Sequence, residues 1–178
     1  PSSTTTTSSV VRSSTDQLHN LSVQGPSSRD ILKQVVWTPP AQTSISELQW
    51  FRFTIGRIGD FNGVPIVVSR TGYTGELGYE VFCHPKDALT VFDAIAEAGK
   101  PHDIAPCGLE ELDMLRIEAG LLLLGADFDS RRFAFNDAHR STPLELGWAW
   151  MFKGLAEDDR PCIGRRALLR ERAEKSSR

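Results

Sequence analysis

The stretch from Arg70 to Glu80 has the strongest chemical content in this sequence. It reads RTGYTGELGYE and places two tyrosines and two glutamates among three glycines. Proteins bind flat, nitrogen-rich rings with a carboxylate beside an aromatic wall, because the ring packs on the aromatic side chain while the carboxylate accepts N–H bonds. The stretch therefore indicates a small-molecule site that draws on Tyr73 or Tyr79 for the aromatic wall and on Glu76 or Glu80 for the carboxylate. The alternative, an irregular connection in which glycine permits positive φ, stays open.

Other types of catalytic site are not indicated. Gly72, Gly75 and Gly78 lack the spacing of a dinucleotide-binding loop and precede a predicted strand instead of a helix. The sequence contains neither a P-loop nor a serine nucleophile elbow. Its four histidines and three cysteines are scattered, without the spacing of a zinc site or a CxxC pair. We therefore predict no metal site, and free thiols typical of a reducing compartment.

Alternating hydrophobicity predicts the strands that must position this segment. One short strand is expected within residues 17–25, and others over Phe51–Ile55, Val64–Ser69 and Tyr79–Cys83. The Asn-Gly pair before Val64 is a strong signal for a β-hairpin. A further strand is predicted over the apolar run Trp148–Phe152.

Four helices are predicted between and after these strands. Helical patterns and capping residues place them after Pro26, from Pro85 to Ala98, from about Gly108 to Ala119, and over Ile163–Lys175. We expect Leu89, Phe92 and Ile95 to form the buried face of the second helix, and Leu109, Leu112 and Leu115 that of the third. Single helices among hairpins predict an α+β fold with a largely antiparallel sheet.

Composition limits the class of protein further. The 178 residues are 40% hydrophobic with a net charge of −3, which is typical of a globular domain and disfavours a nucleic-acid binder. The seven basic and two acidic residues from Arg160 to Arg178 give a local charge of +5, most simply the solvated face of a terminal helix. No apolar run approaches membrane-spanning length. The Ser/Thr-rich residues 1–16 predict a disordered segment before a domain over 17–178.

Five ordered blocks resemble the aminomethyltransferase family, the glycine-cleavage T-protein group of tetrahydrofolate-dependent enzymes. Its relatives include folate-dependent demethylases and the folate domains of dimethylglycine and sarcosine dehydrogenases. The segment Arg70–Glu80 is similar to the signature of this family. The other blocks are Asn20–Pro26, Cys107–Leu121, Thr142–Trp148 and Ile163–Leu168.

The resemblance implies a pterin-binding cavity and tetrahydrofolate as the cofactor. Glu80 matches the family's pterin-binding glutamate, while Tyr73 and Phe53 match aromatic residues of the folate wall. The implied partners are a small methylated or aminomethyl donor and a lipoyl carrier protein, with a cytoplasmic location, or a mitochondrial one in a eukaryote. Phe53 as plain core, Tyr73 as a brace of its loop and Glu80 as a solvated residue remain alternatives.

Two departures from the family pattern bear on the expected donor and on the part of the enzyme that this chain represents. Leu112 stands where T-proteins carry an arginine near the folate, which favours methyl donors over the aminomethyl-lipoyl donor. In the family, the catalytic aspartate lies upstream of the block matched by Asn20–Pro26, and a C-terminal β-barrel follows the block that ends at residue 168. The chain is therefore expected to be the central, folate-binding portion of such an enzyme. Its catalytic residue is unknown. A non-catalytic folate-binding or regulatory module, a demethylase folate domain and an interaction fragment stay open.

Overall fold

The computed structural model describes residues 13–130, 132–136, 139–157 and 162–176. Packing divides the chain after Leu121 into two compact units, which are described separately. The predicted disordered segment at 1–16 lies mostly outside the described residues, and the domain over 17–178 stays a prediction. Every buried apolar residue among those described belongs to the first unit.

The first unit is built on one five-stranded sheet, and all of its strand pairs are antiparallel. Its strand order is β1-β5-β4-β3-β2. The strands are β1 (His19–Gln24), β2 (Val36–Trp37), β3 (Phe53–Ile58), β4 (Val64–Ser69) and β5 (Gly78–Cys83). The α-helices of the described residues are α1 (Ser28–Val35), α2 (Ala88–Gly99), α3 (Leu109–Glu118) and α4 (Arg165–Ser176). The α+β class and the antiparallel sheet are confirmed.

The predicted hairpin joins β3 to β4. Gly59 has a φ of +92°, and the backbone N–H of Asn62 donates to the Asp60 carboxylate at 2.7 Å. The N–H of Gly63 closes the turn on the Asp60 carbonyl at 2.9 Å. An aspartate that accepts from the backbone two residues on is a common turn-forming device, and it fixes the register of the pair here.

One face of the sheet forms the core together with α1 and α2. Val68, Tyr79 and Val81 are fully buried on this face, and α2 contributes Val91 and Ile95. The prediction that Leu89 and Phe92 face inward is wrong, because they are 77% and 46% exposed. Apolar residues occur almost all round α2, so the sheet, not the periodicity, selects which ones are covered.

The third helix departs from its predicted face. Leu109 is 85% exposed and Leu115 37%, whereas Arg116 is buried. The Arg116 guanidinium donates to the Asp113 carboxylate at 2.7 Å and to the Leu121 carbonyl at 3.1 Å. A buried arginine is tolerated when its donors are satisfied, so a polar network, not a leucine stripe, anchors this helix.

The second unit, residues 122–178, contains turns, a 3₁₀-helix and α4. The expected strand at Trp148–Phe152 is wrong, because these residues form the 3₁₀-helix after Gly147, whose φ is +80°. Thr142 and Glu145 bond to each other's backbone N–H, at 3.2 and 2.9 Å, as in a capping box. Within the described residues, no helix is long and apolar enough to cross a membrane.

Candidate functional site

The face of the sheet opposite α1 and α2, called the open face below, carries two of the predicted site residues. Directly opposed residues on neighbouring antiparallel strands project to the same side. The pairing places Phe53 opposite Ser69, Ser69 opposite Glu80, and Glu80 opposite Ser22. Phe53 and Glu80 therefore share one row, two strands apart, or about 10 Å between their backbones.

A parallel row on the open face is more apolar. Ile55 opposes Val67, Val67 opposes Phe82, and Phe82 opposes Asn20. Ile55 is 49% exposed and Phe53 67% exposed, while Val67 and Phe82 are half-buried. The open face thus joins exposed apolar side chains to a row that contains a carboxylate.

The Glu80 carboxylate is held at both of its oxygens. The Asn20 amide donates to Oε1 at 2.8 Å, and the Thr71 hydroxyl donates to Oε2. The Ser69 and Thr71 hydroxyls lie 2.6 Å apart. Because the Thr71 proton points at a carboxylate, Ser69 is the donor of that second bond when Glu80 is ionised. Glu80 is half-buried, so its carboxylate is oriented by the protein and still reachable from solvent.

Gln24 fixes the glycine-rich loop between β4 and β5. Its side-chain amide donates to the carbonyls of Thr71 and Tyr79 at 3.3 and 3.2 Å. A Cβ at Gly72 or Gly78 would overlap this amide. Glycine at these two positions therefore lets the backbone approach the Gln24 side chain closely. This packing role explains why the segment is rich in glycine without being a phosphate-binding loop.

The middle glycine of the motif has a separate role. Gly75 has a φ of +78°, a conformation that strains residues with a side chain. A Cβ there would also lie 2.6 Å from the Cβ of Ala119. The loop thus passes closely over the end of α3, and glycine is required on both grounds.

Tyr73 lies in the same loop and is half-buried. Its loop is joined to Glu80 through Thr71, but Tyr73 itself does not belong to the row of Phe53 and Glu80. Tyr79, the other tyrosine of the motif, lies on the core face, where its hydroxyl accepts from Arg29 Nε at 3.0 Å. Of the two tyrosines, only Tyr73 remains a candidate for a ligand contact.

Sequence reasoning missed Asn20, Thr71 and Ser69, which orient Glu80, and Gln24, which holds the loop. Asn20 and Gln24 could have been found from the sequence, because they occupy alternate positions of β1 together with Ser22 and must share one face of the sheet. The bonds from Thr71 and Ser69 depend on the β4–β5 pairing, which the local pattern does not specify.

In the described part of the chain, no three His, Cys, Asp or Glu side chains lie close enough together to hold a metal ion. The pKa of the Cys83 thiol is raised by its burial and by the nearby Asp87 carboxylate. This thiol lies on the core face, away from the row of Glu80. The chemistry available on the open face is therefore hydrogen bonding to a carboxylate beside apolar surface.

Comparison with known proteins gives one family match and several similar proteins. Residues 3–153 match the family described as the GCVT N-terminal domain. A protein named trimethylamine-oxide aldolase, from Ruegeria pomeroyi, is 55% identical over 163 residues, which are 92% of this chain and 19% of that protein. Aminomethyltransferases of Halothermothrix orenii and Clostridium botulinum are each 38% identical over 89% of this chain, covering 39% and 38% of those proteins. The chain thus spans from a fifth to two fifths of the length of these relatives.

Proposed function

Since this chain belongs to the family of the GCVT N-terminal domain, we propose that it is the folate-binding portion of a tetrahydrofolate-dependent one-carbon transferase. The observation that carries the proposal is the Glu80 carboxylate, oriented at both oxygens and set in a row with exposed Phe53. The aminomethyltransferase relatives support the reaction class.

The residues of the open face fit a pterin. An ionised carboxylate has about four acceptor positions, and Asn20 and Thr71 use one on each oxygen. The remaining positions can accept the paired N–H groups of a pterin edge, with charge-assisted bonds that are roughly twice as strong as neutral ones. The exposed ring of Phe53 supplies apolar surface in the same row, and Tyr73 supplies a second aromatic group from the adjoining loop.

The chemistry of one-carbon transfer is supplied by the nitrogen atoms of tetrahydrofolate when it is bound. The side chains of this chain bind the cofactor and fix its orientation, a contribution that acts by positioning the reactants. Glu80 fixes the pterin edge, and the aromatic residues fix the plane of the ring. We assign no proton-transfer group to the described residues. An aminomethyl donor on a lipoyl carrier is the partner expected for an aminomethyltransferase.

Isothermal titration calorimetry with tetrahydrofolate tests this proposal. Glu80→Ala removes hydrogen bonds to a charged group, worth about 1.5–3 kcal/mol, so affinity is expected to fall by about 10- to 150-fold. Glu76→Ala is the matched control, because Glu76 is an exposed carboxylate in the same loop. Equal losses in both variants, or no loss in either, would contradict the assignment of Glu80.

A second candidate function is the folate domain of a larger demethylating enzyme. One observation favours it, the 55% identity to a trimethylamine-oxide aldolase over 92% of the chain. The resemblance points the same way, because it implies an arginine where this chain has Leu112. Loss of one methyl carbon of trimethylamine oxide as formaldehyde leaves dimethylamine, and tetrahydrofolate is an acceptor for formaldehyde. This chain would then bind the acceptor of the one-carbon unit.

The two functions are separated by assaying the full-length protein with each donor in the presence of tetrahydrofolate. Formation of methylene-tetrahydrofolate from trimethylamine oxide supports the demethylating enzyme, and formation from an aminomethyl-lipoyl carrier supports the aminomethyltransferase. Binding of tetrahydrofolate without turnover of either donor would support a non-catalytic folate-binding module.

A further inference from the structure

The hydroxyl of Thr71 links the end of β4 to the Glu80 carboxylate on β5. Thr71 follows the end of β4 by two residues, and its hydroxyl donates to Oε2 of Glu80 while lying 2.6 Å from the Ser69 hydroxyl. This places it at the centre of a hydrogen-bonded chain that runs from Ser69 through Thr71 to Glu80. Among the described residues, the Thr71 hydroxyl is hydrogen-bonded to Ser69 and Glu80, which both lie on the open face.

The backbone of Thr71 is fixed independently of its hydroxyl. The Gln24 amide donates to the Thr71 carbonyl at 3.3 Å and to the Tyr79 carbonyl at 3.2 Å. Gly72 and Gly78 leave the space that this amide occupies. Loss of the hydroxyl alone should therefore leave the loop in place and remove one of the two bonds that orient Glu80.

The terminal torsion of a glutamate side chain has only a broad preference, so its carboxylate needs partners to hold one plane. With both oxygens bonded, the acceptor positions that face solvent keep one direction. Among the described residues, loss of the Thr71 hydroxyl leaves Glu80 with the bond from Asn20 to Oε1, and the carboxylate can rotate about it. The effect of Thr71 on a ligand is then transmitted through Glu80 alone.

We propose that Thr71 is a positioning residue for ligand recognition by Glu80, with Asn20 as its counterpart on the other oxygen. This inference rests on the proposed function, because the ligand is tetrahydrofolate. It goes beyond that function by assigning the loop hydroxyl a role that acts only through the Glu80 carboxylate.

A double-mutant cycle on tetrahydrofolate affinity tests the proposal, since residues that act through one another give non-additive effects. The proteins are wild type, Thr71→Val, Glu80→Ala and the double variant, measured by calorimetry. Thr71→Val is expected to weaken binding about tenfold in the wild-type background and by less than twofold in the Glu80→Ala background. Thr71→Ser retains the hydroxyl and should restore affinity to within threefold of wild type.

Thr74→Val is the matched control. Thr74 is a buried threonine of the same loop, and its hydroxyl lies 3.5 Å from the Gln24 amide oxygen instead of contacting Glu80. We expect its affinity for tetrahydrofolate to stay within twofold of wild type.

The outcomes are distinct. A tenfold loss from Thr71→Val in both backgrounds, or no loss in the wild-type background, would overturn the positioning role and leave Glu80 as a ligand contact. The cycle is measured in the full-length protein, and its failure to bind tetrahydrofolate as wild type would overturn both this inference and the proposed function.

Discussion

Substitution of Gly78 by alanine probes the contact that fixes the glycine-rich loop. Gly78 lies directly opposite Gln24 in the β1–β5 pair, and a Cβ there would overlap the Gln24 amide. The amide is the end of a flexible side chain, so it would swing away and lose its bonds to the Thr71 and Tyr79 carbonyls. The perturbation is therefore the loss of the two bonds to carbonyls, out of three that the amide nitrogen makes, the third being to the Ser22 hydroxyl at 3.1 Å.

The expected change in stability is the sum of two opposing contributions. Two hydrogen bonds, each worth about 0.5–1.5 kcal/mol net, contribute about 1–3 kcal/mol. Alanine in place of glycine within a strand stabilises by about 0.5–1 kcal/mol. We therefore expect Gly78→Ala to destabilise the sheet by about 1–2 kcal/mol. In a Gln24→Ala background the overlap is gone, and the same substitution should stabilise by about 0.5 kcal/mol.

Amide hydrogen exchange of peptides from β1 and β5, measured at several urea concentrations, gives the opening free energy of this pair. The four proteins of the cycle are wild type, Gly78→Ala, Gln24→Ala and the double variant. A coupling energy of about 2 kcal/mol is expected. An equal cost of Gly78→Ala in both backgrounds would refute the reasoning, because the amide would then not be what excludes a side chain.

Two further predictions concern the buried polar groups of the first unit. Arg116→Met should lower the free energy of urea unfolding of this unit by about 1–3 kcal/mol. The Arg116 side chain is 3% exposed and its hydrogen bonds would be lost, while the half-exposed Asp113 carboxylate would remain solvated. A change below about 0.5 kcal/mol would contradict the anchoring role. The raised pKa and burial of Cys83 predict that a thiol reagent at neutral pH modifies the exposed Cys107 and Cys162 quickly, and Cys83 only after unfolding. Three equally fast thiols would contradict this.

Four of the five strands could be predicted from the sequence because alternation is a local property, whereas the two-residue strand β2 is too short to show it and was not predicted. Leu21 and Val23 alternate with Asn20, Ser22 and Gln24, and the pattern is read correctly without knowing any partner strand. The hairpin was equally local, since its turn residues lie within the loop that they form.

The buried faces of the helices could not be predicted in the same way. α2 carries apolar residues on several sides, and only packing on the sheet determines that Val91 is covered while Leu89 is exposed. The run Trp148–Phe152 lacks alternation, and short apolar runs do not distinguish strand from helix. Gly147, with its positive φ, precedes a 3₁₀-helix there.

The candidate site was predictable in its residue types and not in its arrangement. The resemblance of the segment Arg70–Glu80 singled out Glu80 and Tyr73, whereas the bonds of Asn20 and Thr71 to Glu80 depend on which strands are neighbours. Strand order is a property of the whole sheet, because β1 pairs with β5 across more than fifty residues of sequence. The positioning network therefore became visible only in the structure.

The most direct test of the central claim is a titration of the methyl-labelled full-length protein with tetrahydrofolate, followed by nuclear magnetic resonance. Val67 and Val68 are sequence neighbours on opposite faces of β4, while Ile55 of β3 lies on the open face and Ile66 of β4 on the core face. We predict that the methyl signals of Ile55 and Val67 shift together with the side-chain amide of Asn20, while Ile66 and Val68 stay unchanged. Shifts confined to Ile66 and Val68, or no shifts at saturating tetrahydrofolate, would contradict a folate site on the open face.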